Sequence, residues 1–390
     1  MTEMVYGTLP RRRVEPVLPR WWRTIDKWSL SAILVLGGVG ILLGMAASPP
    51  LAAKNGFSAF HYVEKQAIFS ALAFAIMISF SMLPVATVRR LGVIGFGLAF
   101  VAMALLPVFG TDFGKGATRW YSFGFAALQP SEFLKPGFVI VCAWALAAAN
   151  EVGGPPGRKW SFILTIVIVL LLALQPDFGQ ASIILFTWGV MYFVSGAPIG
   201  LLLGIGGLAC AAGMAAYRFS EHFARRIDGF LSTEIDPTTQ IGYAVGAIRE
   251  GGFFGVGVGE GRVKWSLPDA HTDFIIAVAA EEYGLIMVLF IICLFAVITV
   301  RSLFRLIRER DPFARLAATG LICVFATQAL INLGVAARLL PAKGMTLPFV
   351  SYGGSSMLAS AIALGMLLAL TAKRSQGELG DYLGRNGGRR

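Results

Sequence analysis

Apolar residues run in long stretches along almost the whole chain, and each stretch is closed by a short polar or Gly/Pro-rich segment. About 20 apolar residues in a helix are enough to cross the hydrocarbon core of a bilayer. Reading the runs against their punctuation predicts roughly ten such helices, at 28–46, 66–86, 91–109, 131–149, 160–174, 180–195, 198–216, 274–299, 316–338 and 347–371. The fifth, sixth and seventh are short or closely joined. The predicted fold is all-α, a polytopic integral membrane protein with no room for a large soluble domain.

Composition agrees: 56% of the 390 residues are hydrophobic, 14% are charged, and the mean hydropathy is +0.71. A soluble domain cannot bury that much apolar surface. The net charge of +11 would suggest nucleic acid in a soluble protein, but here the charges fall mostly between spans, so no nucleic-acid partner is expected. The segment 1–27 carries Arg11, Arg12, Arg13, Arg20, Arg23 and Lys27 and is too long and too basic for a simple signal peptide, so it reads as a cytoplasmic tail.

The same bias places Arg89, Arg90, Arg158, Lys159, Arg301, Arg305, Arg308, Arg310, Arg315, Lys373 and Arg374 on the cytoplasmic side. There they act as ordinary anchors at the surface of the membrane. An even number of spans returns the tail 372–390 to the same side, leaving 28–371 as the membrane domain. The four cysteines, Cys142, Cys210, Cys293 and Cys323, lie in apolar runs without metal-ligand spacing and are expected in the core.

This orientation leaves outside a loop near 110–130, a turn at 175–179, a large loop at 217–272 between spans seven and eight, and a loop at 339–346. The first contains Lys115, Arg119 and Trp120, followed by Gln129-Pro130-Ser131-Glu132 and Lys135. Ser131 is placed to cap the fourth span, with Glu132 in its first turn, where the helix dipole favours an anion. Glu132 and Lys135 share a helix face. Ionisable groups at the membrane edge require a partner or a cavity, so this pair is a candidate for function. Asp177, in the turn Gln175-Pro176-Asp177-Phe178-Gly179, either satisfies turn amides or carries chemistry; the pattern leaves both open.

The large loop contains Gly251-Gly252-Phe253-Phe254-Gly255-Val256-Gly257-Val258-Gly259, then Arg262 and Lys264. Its glycines match neither the dinucleotide fingerprint nor the phosphate loop. They allow a sharp turn or close approach to a ligand, beside two cations able to neutralise a phosphate. His271 has no second histidine at ligand spacing and is assigned a positioning role; the sequence shows no convincing ligand set for a metal, and a divalent cation stays open.

Asp273 is expected at the mouth of the eighth helix and Glu281 on a similar side of the same helix about 12 Å deeper. Asp273 is placed to act as a base, whereas Glu281 is expected to bond neighbouring helices. The stretch from Lys343 to Ser356, including Ser351, has the Pro, Gly and Ser content of a broken helix entrance covered by protein or a water-filled cavity.

Five segments together closely resemble the SEDS family of bacterial cell-wall proteins: 115–120, 129–132, 175–179, 270–274 with Glu281-Glu282, and 343–348 running into Ser351-Tyr352-Gly353-Gly354-Ser355-Ser356. Lys343 and Thr346 are more similar to the division branch than to the elongation branch. Asp269 departs from the Glu found in many members, and Leu340-Pro341 follows Arg338 rather than a glycine-rich approach. The resemblance implies a SEDS fold and a glycosyltransferase that polymerises lipid II with Asp273 as catalytic residue. It also implies a class B penicillin-binding protein as transpeptidase partner and work with other division proteins at the septum of the inner membrane. Lys115, Arg119, Trp120, Glu132, Lys135, Asp177, Arg262, Lys264, His271, Lys343 and Ser351 are the expected cavity or diphosphate contacts. A lipid II flippase would spread its charges towards both faces, and a division scaffold would need no poised acid.

Overall fold

A computed structural model describes residues 16–111, 118–124, 127–219, 221–231, 239–341 and 344–373. The helices are α1 (Val17–Thr24), α2 (Lys27–Ala47), α3 (Pro49–Lys54), α4 (His61–Ser81) and α5 (Val85–Phe109). After a two-residue antiparallel pairing of β1 (Tyr121–Ser122) with β2 (Ala127–Leu128) come α6 (Pro130–Ala148), α7 (Gly157–Leu174), α8 (Phe178–Val194), α9 (Gly200–Phe219), α10 (Glu221–Leu231) and α11 (Gln240–Gly251). One 3-10 turn (Val263–Trp265) then precedes α12 (Ile275–Leu306), α13 (Pro312–Ala336) and α14 (Gly354–Leu370).

Eight of the described helices are long and apolar enough to cross a membrane, and the shorter apolar helices α8 and α14 lie where two further spans were expected. The second span ends earlier than the hydropathy pattern suggested, at Ser81, because Pro84 cannot continue the helical ladder. The last begins later, at Gly354, so 347–353 is irregular backbone rather than helix. The expected loop 217–272 is largely helical, holding the end of α9 with α10 and α11.

α6 and α13 are buried along most of their length, whereas α4, α5 and α7 leave much of theirs at the surface, where lipid lies in a membrane-spanning chain. Burial of Phe138, Val139, Ile140, Leu321 and Ile322 on the inner pair makes the bundle centre apolar, so the polar residues there need partners from one another. Of the cysteines, Cys142 is buried but Cys210 and Cys293 are exposed, correcting the expectation of four core thiols.

α12 is not one continuous helix. Gly284 has φ 77° and ψ −175°, outside helical space, and separates a first segment buried from Ile275 to Glu282 from a second that exposes Ile286, Leu289 and Phe290. From 285 to 306 the second segment is long enough to span the membrane alone.

At the opposite end of the bundle, Arg301 donates to both carboxylate oxygens of Asp26 at 3.0–3.2 Å and Arg305 to the Thr371 carbonyl at 2.8 Å. Burial alone would raise the Asp26 pKa, but hydrogen bonds from Arg301 and Ser29 and the charges of Arg305 and Arg301 outweigh it and hold the carboxyl below its usual value.

Candidate active site

Asp273 lies in a tight turn before α12, not on the helix as its spacing from Glu281 suggested. Asp269 has φ 57° and turns the chain back, so that its carbonyl accepts from the amides of Thr272 and Asp273, both at 3.1 Å. This turn is clasped to the irregular segment 344–353. The Tyr352 amide donates to the His271 carbonyl at 3.0 Å, and the Ser351 hydroxyl donates to the Thr272 carbonyl and accepts from the Leu347 amide. The amide nitrogen of Asn332, from buried α13, donates to the carbonyls of Asp273 (2.9 Å) and Met345 (2.5 Å). The half-buried Asp273 carboxylate abuts Gly344, where an added Cβ would lie 2.6 Å from Oδ2, so a larger residue there would shift the carboxylate.

A second buried layer lies behind this clasp. Lys135 donates to Glu132 at 2.8 Å and to the Gln328 side-chain oxygen at 2.8 Å, while Gln180 donates to the other Glu132 oxygen. The Gln328 amide continues to the Thr346 carbonyl at 3.0 Å. Glu132 and Lys135 are 3% and 2% exposed, so this charge pair is sealed and fully bonded rather than open to a ligand. The layer ties α6, α8 and α13 to the backbone beside Asp273. Ser131 is not the cap: Gln129 occupies that position, and the Ser131 hydroxyl has no hydrogen-bond partner in this structure.

The first outer loop and the 175–179 turn are joined. Arg119 donates to the carbonyls of Gln175 (2.8 Å) and Pro176 (2.7 Å), which places its charge at the carboxyl end of α7. Trp120 pairs with Thr111 through the backbone. Asp177 caps α8 by accepting from the Gln180 amide, and Gln129 donates to its other oxygen, both at 3.4 Å. Burial raises the Asp177 pKa above 3.8 despite the neighbouring Arg119 charge.

The glycine-rich loop packs onto the break in α12. The Leu285 amide donates to the Gly252 carbonyl, Val256 to the Glu281 carbonyl, and Gly257 to the Glu282 carbonyl. A Cβ at Gly284 would lie 2.3 Å from the Phe253 carbonyl oxygen. Lys264, expected as a diphosphate cation, is 6% exposed and forms a salt bridge with Glu282, so its charge balances that buried acid. Glu281, expected to bond neighbouring helices, instead accepts from the amides of Arg262 (2.6 Å) and Val263 (2.8 Å). The Arg262 side chain is exposed. Lys115 and Lys343 lie outside the described residues. Among the described residues no group of three or more His, Cys, Asp or Glu is arranged to hold a metal.

A cell cycle protein family model, FTSW_RODA_SPOVE, matches residues 27–376. The chain belongs to this family. A probable peptidoglycan glycosyltransferase FtsW of Caulobacter vibrioides (strain NA1000 / CB15N) is 43% identical over 365 residues and 93% of each chain. Another of the same description, from Trichlorobacter lovleyi, is 35% identical over 358 residues, covering 88% of this chain and 92% of the relative. Among solved structures, one described as a peptidoglycan synthase complex coordinating polymerization and crosslinking aligns with a TM-score of 0.73 at 27% identity, over 89% of this chain and 97% of that one. The rod shape determining protein RodA of Thermus thermophilus aligns at 0.64 and 26%, over 90% and 97%.

Within this FTSW_RODA_SPOVE member, the site includes residues that sequence reading passed over. Asn332, Gln328 and Gln180 are amides inside apolar helices, yet each bonds a motif residue or the backbone beside one. The entry to α4 is another such place: Phe57 in the preceding loop and His61 and Tyr62 in the first turn stand in ring contact with one another, and Tyr62 touches both His271 and Tyr352. The aromatic run in 57–62 was the available signal.

Proposed function

We propose that this membrane protein is a peptidoglycan glycosyltransferase of the division branch, polymerising lipid II into glycan strands at the septum with Asp273 as general base. In this reading the Asp273 carboxylate takes the proton of the acceptor GlcNAc 4-hydroxyl. The freed oxygen bonds to C1 of the donor MurNAc with inversion, and the bond from C1 to the undecaprenyl diphosphate breaks. Arg262, exposed and held by its amide beside Glu281 in the second turn of α12, is the described loop cation left for the departing diphosphate; Lys135 and Lys264 are committed to buried acids.

The observation that carries the reading is the clasp. Two motifs bonded across some 80 residues of sequence, by a backbone amide and a serine hydroxyl, meet around one half-buried carboxylate, with a buried polar layer fixing them from behind. Such support is what a base needs to be held in position. The relatives' names and the likeness to a synthase complex favour polymerisation with a class B penicillin-binding protein supplying crosslinks.

The test is reconstitution of the purified chain with that partner, in vesicles containing labelled lipid II. Muramidase-sensitive polymer is the expected product. Transfer of lipid II across the vesicle membrane without polymer would replace the enzyme with a transporter.

A further inference from the structure

We propose that Phe57, His61, Tyr62, His271 and Tyr352 form an aromatic platform that holds the sugar ring of the acceptor strand beside Asp273. The proposal rests on the glycosyltransferase reading and adds a binding subsite to it. Phe57 and His61 are stacked at 4.3 Å with an interplanar angle of 14°, and Phe57 is 50% exposed, leaving ring surface open. Tyr62 stands edge-on to Phe57 at 6.2 Å and to Tyr352 at 5.7 Å, and Tyr352 lies 5.7 Å from His271. The rings therefore run without interruption from the loop before α4 into both halves of the clasp. His271 is two residues from Asp273, at most about 7 Å along the chain.

The chemistry of the cluster fits a pyranose. One face of such a ring presents C–H groups that pack on aromatic faces, while its edge presents hydroxyl and amide groups that need hydrogen-bond partners. Four of the five platform side chains carry a polar atom, and the Asn55 amide bonds the Tyr62 hydroxyl at 2.7 Å at an exposed position, adding further donors and acceptors. A belt of aromatics anchoring the protein in lipid would follow the membrane-facing perimeter. This row instead leads inward to the residues around the reacting acid.

The test titrates the purified full-length chain with a soluble GlcNAc–MurNAc tetrasaccharide and follows polymerisation against lipid II concentration. It compares wild type, Phe57→Ala, Tyr62→Ala, Tyr62→Phe and Asp273→Asn. Phe57→Ala and Tyr62→Ala are each expected to weaken tetrasaccharide binding and raise KM by about fivefold, with shorter strands and little change in kcat. Tyr62→Phe, which keeps the ring, is expected to stay within about twofold of wild type.

If Tyr62→Ala does not fold, the exposed Phe57→Ala carries the test. Unchanged binding and KM in Phe57→Ala, beside an inactive Asp273→Asn, would overturn the platform alone. Polymerisation by Asp273→Asn at the wild-type rate would overturn the catalytic reading, while the titration would still decide whether the platform binds sugar.

Discussion

Asn332 is 1% exposed, and its single amide nitrogen serves two carbonyls from the two halves of the clasp. Asn332→Leu should leave both carbonyls unbonded at about 1–3 kcal/mol each. The expected result is a loss of kcat of at least about tenfold with a smaller change in KM, since the proposed base is displaced while the proposed substrate contacts remain. Lys135→Met would leave Glu132 as an uncompensated buried charge and is expected to cost about 3–5 kcal/mol, read as a lower Tm in detergent; adding Glu132→Gln should restore most of it. For Asp177 the pKa is raised mainly by burial, so the folded chain holds that proton more tightly than the unfolded chain. Its stabilising contribution is present at low pH and is lost as pH climbs from 3.8 through the raised value. Asp177→Asn should flatten that part of the Tm–pH profile and raise Tm at neutral pH. The Glu132–Lys135 pair was legible because three-residue spacing on a helix is local. Gln328 was not, because its partner Lys135 is 193 residues away, and an amide in an apolar run carries no mark of what it bonds.

On the scale of elements, the break in α12 decides how the outer segments sit. Gly284 allows the glycine-rich loop to bond alongside the helix, and its φ of 77° with ψ of −175° is closed to other residues. Gly284→Ala should therefore destabilise the chain by at least about 1–3 kcal/mol and open 252–261 to protease, measured by limited digestion beside Tm. The glycines of that loop were readable as a device for close approach, but not their target: they approach a helix about 25 residues onward rather than a ligand. The ten apolar runs were readable because length and hydropathy set them. The start of α14 was misplaced because the stretch 347–350 is apolar enough to extend a hydropathy run while its backbone is turned.

In the molecule as a whole, the polar work is divided between two ends. At one, Asp26 ties α2 to Arg301 and Arg305, beside many of the basic residues expected in the cytoplasm; at the other lie Asp273 and the layers that hold it. Single cysteines placed in a chain freed of its own four should report that arrangement. Phe254→Cys is expected to react with an impermeant maleimide added outside, and Arg308→Cys only after permeabilisation. The central claim is met most directly by the rate of lipid II polymerisation by purified Asp273→Asn in complex with the transpeptidase proposed as its partner. A fall of at least about a hundredfold, with the complex and its Tm intact, is the predicted result; polymerisation at the wild-type rate would contradict it.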